Sequence, residues 1–226
     1  MAQHRSLAIV AGAGPGLGKA VQQRLSEGGY HAVGLTRSAS VDTEEARAVD
    51  LTNIEQVQSV LQELIARYGV PEIVIHNPAH LVIQPLSLTT LADFENSWRS
   101  MVASAFVMAQ VVMPVMVKAG QGAFIVSGAT ASLRGGAKFS AFASAKFALR
   151  GLAQSLAREF QPSGIHVVHA ILDGIIDTQQ SRELHGMDAQ RMMKPEDIAE
   201  VYWQLAHQPS SAWTHEVDLR PYSETF

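Results

Sequence analysis

The sequence predicts an α/β fold, a doubly wound parallel sheet of about seven strands with helices on both faces. Three observations predict it. Short apolar runs alternate with longer helical patterns along the whole chain. The first run leads into a glycine-rich turn that opens a helix. No repeat, low-complexity tract or linker breaks the alternation, so residues 1–226 read as a single domain.

The elements follow in order. Residues 6–11 (SLAIVA) form a compact apolar run bounded by glycines, a buried strand. Residues 16–27 place Leu17, Ala20, Val21 and Leu25 on one helical face. Residues 31–36 read as a second strand and 46–50 as a short third. Residues 54–68 are an amphipathic helix, with Val57, Val60, Leu61, Leu64 and Ile65 in helical phase. Pro71 punctuates, and 72–76 is the fourth strand. Residues 91–118 are long, apolar and helical, with Pro114 expected to kink or split them. Strand five is 123–127, and a helix over 142–160 opens after Ser140. Strand six is 165–172. Residues 195–206 are a helix whose first turn carries Glu196 and Asp197, as the helix dipole favours. Residues 216–219 can close the sheet as strand seven. Residues 179–193 are polar, end in Met192-Met193 and read as a lid over a site.

Composition narrows the function classes. The chain has 226 residues, a formal net charge of −4 and no cysteine. Disulfides, a thiolate nucleophile, a Cys-type zinc site and an iron–sulfur cluster are therefore excluded. The mild acidity argues against nucleic acid as a partner. No run approaches about 18 uninterrupted apolar residues, so no membrane span is expected. Residues 1–6 lead straight into the first strand without a signal-type core, which makes a cytoplasmic location the expectation. Proton chemistry must fall to histidine, carboxylates, lysine or the four tyrosines, Tyr30, Tyr68, Tyr202 and Tyr222.

Residues 11–18 read Ala-Gly-Ala-Gly-Pro-Gly-Leu-Gly between the first strand and the first helix. Gly12, Gly14, Gly16 and Gly18 permit a tight turn and close approach of backbone to a pyrophosphate, which then rests on the helix N-terminus. Pro15 and Leu17 belong to the same loop. This is the dinucleotide-binding arrangement of a Rossmann-type sheet. About 20 residues further on, an NAD site carries an acid for the ribose 2'-hydroxyl. Here stands Thr36-Arg37-Ser38. A guanidinium at Arg37 suits a 2'-phosphate, so NADP (NADPH) is the expected cofactor.

These residues resemble the short-chain dehydrogenase/reductase family over nearly the whole chain. The family's Thr-Gly-x-x-x-Gly-x-Gly motif is similar to residues 11–18, with Ala11 for the leading Thr. Asp50 and Leu51 resemble the family's adenine contact after strand three. His76-Asn77-Pro78-Ala79 stands where the family has Asn-Asn-Ala-Gly, and Asp173-Gly174 where it has Pro-Gly. Ile176-Asp177-Thr178 resembles the segment that meets the nicotinamide amide. The resemblance implies strand order 3-2-1-4-5-6-7. It also implies homodimers or homotetramers built through the helices of 91–118 and 142–160.

The catalytic positions depart from the family. Its signature Tyr-x-x-x-Lys puts both side chains on one helical face. The Tyr is the general acid/base, and the Lys holds the nicotinamide ribose and lowers the Tyr pKa. Here Lys146 is present and the Tyr position is Phe142, fixed by Lys146 and by Ala148 to Leu152. At the family's usual interval upstream, Ala129 replaces the catalytic Ser, with Ser127 and Thr130 a residue or two away. Met101 aligns with the family's Asn.

A Phe cannot move a proton, and general acid–base catalysis contributes about 10²–10⁴-fold. Three compensations are open. Ser127, Thr130, Ser132, Arg134 or His80 could supply a donor near the carboxyl ends of strands four and five. Hydride addition to an activated C=C bond could leave an enolate for water to protonate. Or the chain could bind NADP without chemistry, as a sensor or scaffold. The first two make it an NADP-dependent oxidoreductase acting on a small, apolar carbonyl or enone, since Phe142, Met101, Ala129 and Met187 are the expected pocket residues.

Other features weigh less. His166 and His169 point to opposite faces of a strand, so a shared metal is not expected. Trp98, Trp203 and Trp213 suit core or subunit-interface anchoring. Met187, Met192 and Met193 could line a substrate mouth, and Tyr222 could reach a neighbouring subunit.

Overall fold

The computed structural model describes residues 5–37 and 43–224. Ser38 and the first four residues of the N-terminal reading lie outside them. The strands are β1 (Leu7–Ala11), β2 (His31–Thr36), β3 (Ala46–Ala48), β4 (Pro71–His76), β5 (Gly122–Ser127), β6 (Ile165–Leu172) and β7 (Glu216–Leu219). The helices are α1 (Leu17–Glu27), α2 (Ile54–Tyr68), α3 (Leu91–Trp98), α4 (Ser104–Ala119), α5 (Ser140–Phe160), α6 (Gln179–His185) and α7 (Pro195–Ala206).

The strands form one parallel sheet in the order β3-β2-β1-β4-β5-β6-β7. Both faces are covered because the inner strands β1, β4, β5 and β6 are buried along nearly their whole length, whereas the edge strands β3 and β7 carry charged residues. In β1, Leu7, Ile9 and Ala11 join the cluster under α2, α4 and α5, while Ala8 and Val10 join the one under α1 and α7. All five are buried, which explains why the run does not alternate with polar residues. The order reverses between β1 and β4, and a crevice opens at the carboxyl ends there.

One local expectation is corrected. The helical stretch over residues 91–118 is interrupted at a π-helical turn, Arg99–Ala103, not at Pro114. Pro114 lies exposed inside α4, and the residue whose carbonyl it leaves unbonded, Gln110, is also exposed, so water can satisfy it. At the π turn the Ser104 hydroxyl donates to the Ser100 carbonyl at 2.6 Å. Residues 179–193, read from the sequence as a lid, contain α6, capped by Thr178. Reciprocal backbone bonds of 2.8 Å, Asp177 to Met193 and Met193 to Ile175, tie this segment to the chain leaving β6.

Mean hydropathy qualifies the membrane reading. Helical residues Leu91–Ala119 are apolar enough, at 1.9, to cross a membrane by length and composition, although Ser104 and Gln110 interrupt the run. In this fold 61% of that window is buried. Met108, Val112 and Met116 of α4 enter the main core against the sheet.

Candidate functional site

The crevice at the carboxyl ends of β1, β4, β5 and β6 is a cavity of about 850 Å³. The glycine loop forms one wall. Gly18 could carry no side chain, because a Cβ there would fall 2.0 Å from the Gly12 carbonyl oxygen. A Cβ on Gly12 would meet the Asn77 and Pro78 backbone at 2.9 Å, and Gly12 holds a φ of +80°. The loop is thus folded tightly on itself and on the end of β4. Gly14 faces the other way, with nothing within 4 Å of its Cβ position. α1 begins at Gly16 with no side-chain cap and no acidic residue in its first turn. An uncapped helix N-terminus beside an open backbone surface is a fitting cradle for a pyrophosphate.

Of the residues read from the sequence as cofactor contacts, Gly12, Gly14, Pro15, Leu17, Gly18, Asn77, Ala79, Lys146, Gly174, Ile176 and Thr178 line this cavity. Gly16, Arg37, Asp50, Leu51, Pro78 and Asp173 do not. Arg37 is exposed just after β2, and its charge contributes to holding the Asp50 carboxyl below the usual carboxylate range, after the backbone bond from Thr52. The two residues therefore lie at a common edge beyond the glycine loop. Asp173 turns elsewhere: it accepts from the Thr130 hydroxyl and pairs with Arg220 at 3.0 Å. Thr178 spends its hydroxyl on the Ser181 hydroxyl at 2.8 Å while capping α6.

The positions read from the sequence as the tetrad converge. Met101, in the π turn, and Phe142, on α5, are buried in one small apolar cluster with Ala145, against which Ala129 packs. Phe142 and Ala129 reach the cavity, whereas Met101 is sealed beneath it with no exposure. Met187 does not line the cavity either, so two of the four expected pocket residues are corrected. Leu81, Ile83 and Phe139 take their place.

Lys146 is the buried cation of the site, 3% exposed. Its Nζ donates to the Ser127 carbonyl at 2.7 Å and stands 5.6 Å from the Phe142 ring centroid. Burial lowers its pKa to about 8. His76, at the end of β4, is driven to about 3, first by burial and then by the Lys146 charge. It stays neutral, and since Ser104 donates to Ser100, the His76 Nε2–H donates to Ser104 Oγ at 2.8 Å.

Most of the candidate donors are otherwise engaged or, like Ser132 and His80, do not line the cavity. The Ser127 hydroxyl pairs with Tyr202 at 2.8 Å, Thr130 donates to Asp173, and Ser132 accepts from the Ala129 N–H. His80 does not line the cavity, and Arg134 does. Tyr202 escaped the sequence reading: its place on the apolar face of α7 marked it for burial, but its partner lies 75 residues away. Burial raises its pKa. His166 bonds to the Thr214 carbonyl at 2.9 Å and stacks on Trp213, while His169 bonds to Glu216 at 2.9 Å. Among the described residues no group of three His, Asp or Glu could hold a metal. Met192 and Met193 are core residues, while Trp98 and Tyr222 are exposed.

The profile of the short chain dehydrogenase family matches residues 6–189. A short-chain dehydrogenase structure from Rhodopseudomonas palustris is 34% identical, with a TM-score of 0.82 over 97% of this chain and 100% of that one. The 3-oxoacyl-[acyl-carrier-protein] reductase of Vibrio cholerae is 26% identical over 92% of this chain and 91% of its own length. A metagenomic short-chain oxidoreductase in complex with NADP shares the fold at a TM-score of 0.79 and 22% identity, over 96% of this chain and 97% of that one.

Proposed function

The chain belongs to the short-chain dehydrogenase family, and from that premise we propose that it is an NADP-dependent oxidoreductase with a non-standard proton donor. The observation that carries this reading is Lys146. It is a buried ammonium lining an apolar cavity, with a backbone carbonyl as its hydrogen-bond partner and a pKa near the working range. The single-domain reading of residues 1–226 and the homo-oligomeric, cytoplasmic setting belong to the same proposal.

The glycine loop fits a pyrophosphate, for the reasons of packing and capping given above. Arg37 would take the 2'-phosphate, Asp50 and Leu51 the adenine, and Asn77, Lys146 and Thr178 the nicotinamide ribose and amide. The fold match to an NADP-bound oxidoreductase supports the same cofactor. When bound, NADPH supplies a hydride equivalent to an electrophilic carbon.

The chain's own residues orient the substrate and settle the proton. Phe142 and Ala129 give the substrate an apolar seat where the family has hydroxyls. Next to Phe142, the Lys146 ammonium can donate to a developing oxyanion, leaving a neutral amine that a pKa near 8 tolerates. Charge stabilisation by this ammonium is strengthened by its burial, which removes it from bulk water. An enone needs less help than a ketone, since its charge spreads over the enolate. The favoured substrates are small apolar enones and activated carbonyls.

The alternative is a non-catalytic NADP binder, favoured by the engagement of Ser127, Thr130 and Ser132. Calorimetry with NADPH and NADH, followed by turnover on matched ketones, quinones and enones, separates the two. Micromolar NADPH binding with enone turnover is the expected result. Binding without turnover on the whole panel selects the sensor, and failure of both nucleotides to bind below millimolar overturns both readings.

A further inference from the structure

The cavity is cationic in an acidic protein. The chain carries a formal charge of −4, yet among the described residues no Asp or Glu lines the cavity, while Lys146, Arg134 and His185 do. Arg24, Arg150, Arg182 and Arg220 are each neutralised by a carboxylate. Among the described residues Arg134 has no side-chain hydrogen bond or ion pair.

Its placement is built by the fold. A 3₁₀ turn, Thr130–Ser132, follows β5, and the Arg134 N–H closes on the Thr130 carbonyl at 3.2 Å. Thr130 is itself held by Asp173. This brings the guanidinium to the cavity, where Leu81, Ile83 and Phe139 supply an apolar wall. Lys146 lies buried against β5, whereas Arg134 is exposed. The two cations therefore occupy different depths.

We propose that the substrate is an amphipathic carboxylic acid, with an apolar body against Leu81, Ile83 and Phe139 and its carboxylate on Arg134. A guanidinium binds a carboxylate through two parallel N–H bonds, which favours a planar anion over a neutral polar group. His185, on α6, lines the same cavity. The inference rests on the oxidoreductase reading for the chemistry at the other end of the substrate, but binding can be read without chemistry.

The test measures binding by calorimetry, with and without NADPH, using 4-phenylbutanoate and its amide as probes. A charge-assisted pair exceeds a neutral hydrogen bond by enough for a tenfold preference or more. The expected result is that the wild type prefers the acid to the amide at least tenfold. Arg134→Gln should remove the preference and leave the amide affinity, NADPH binding and melting temperature unchanged. Arg134→Lys should retain part of it. Equal affinity of the wild type for acid and amide, binding of neither, or a preference that survives Arg134→Gln would each overturn the assignment. Turnover of trans-3-benzoylacrylate against its ethyl ester provides the kinetic arm: the ester should show a raised KM in the wild type but not in Arg134→Gln. If no substrate turns over while the acid preference holds, the catalytic reading fails and this one stands.

Discussion

Lys146 Nζ stands 5.6 Å from the centroid of the Phe142 ring, one helical turn away on α5, with one of its three N–H groups donated to the Ser127 carbonyl at 2.7 Å. A tyrosine at the ring position would place a phenol beside that ammonium. A phenylalanine leaves the ammonium facing an apolar cavity.

Phe142→Tyr should therefore raise ketone reduction, by about 10²-fold if the new hydroxyl reaches the substrate oxygen. Steady-state kinetics on a ketone and an enone should show the larger gain for the ketone. No gain on either would mean that the pocket no longer presents a carbonyl to this position.

Lys146 also predicts a pH signature. The folded pKa is about 8 against an ordinary 10.5, so below 8 both folded and unfolded chains are protonated and the burial cost is present in full. Between 8 and 10.5 the unfolded chain binds the extra proton, so this residue makes stability rise with pH across that window. The ceiling is roughly 3 kcal/mol, at about 1.4 per pKa unit. Urea unfolding at pH 8 and pH 10 should show the rise in the wild type and its loss in Lys146→Met. If Lys146 is the acid, turnover should fall as pH climbs past about 8.

His76 works at the acid end. Its pKa is held at about 3, so only the unfolded chain takes up the proton between the ordinary 6.5 and 3. Stability contributed by the neutral ring is full above 6.5 and drains away as pH falls toward 3. His76→Gln should be less stable at pH 7, having lost the bond to Ser104, but should lose less on acidification. Parallel urea midpoints from pH 7 to pH 4 for the two proteins would refute this.

The glycine loop separates packing from binding. Gly18→Ala forces a Cβ to within 2.0 Å of backbone and should cost about 3 kcal/mol or more, seen as a lowered melting temperature. Gly14→Ala meets nothing within 4 Å, so its melting temperature should match the wild type while NADPH affinity drops.

Arg37→Glu should weaken NADPH at least tenfold and NADH much less, because only the former carries the 2'-phosphate that repels the new carboxylate. Calorimetric titration of both nucleotides checks it, and equal losses would remove Arg37 from the site.

Much of this was legible in the chain itself. The inner sheet runs were readable because β1, β4, β5 and β6 are buried on both faces. β2, β6, α2 and α7 have the limits that periodicity predicts. The glycine loop and Phe142 were plain because a short motif fixes them. The failures were failures of neighbourhood. Pro114 is a helix breaker by local chemistry, but it sits where its freed carbonyl meets water. Met101 and Met187 were apolar in the right segments, yet one is sealed below the cavity and the other does not line it.

The sequence by itself determined the element order, the glycine-rich turn between β1 and α1 and the placing of Phe142 one helical turn before Lys146, since each is written in contiguous residues with their own periodicity or steric demand. Only the tertiary structure decided which donors are free. The Ser127 hydroxyl is taken by Tyr202, 75 residues away, and Arg150 by Glu216, 66 away, while Arg134, at the cavity, has no side-chain partner among the described residues. Such pairings depend on how separate helices and strands pack across the sheet, and that packing carries no local signal in the chain.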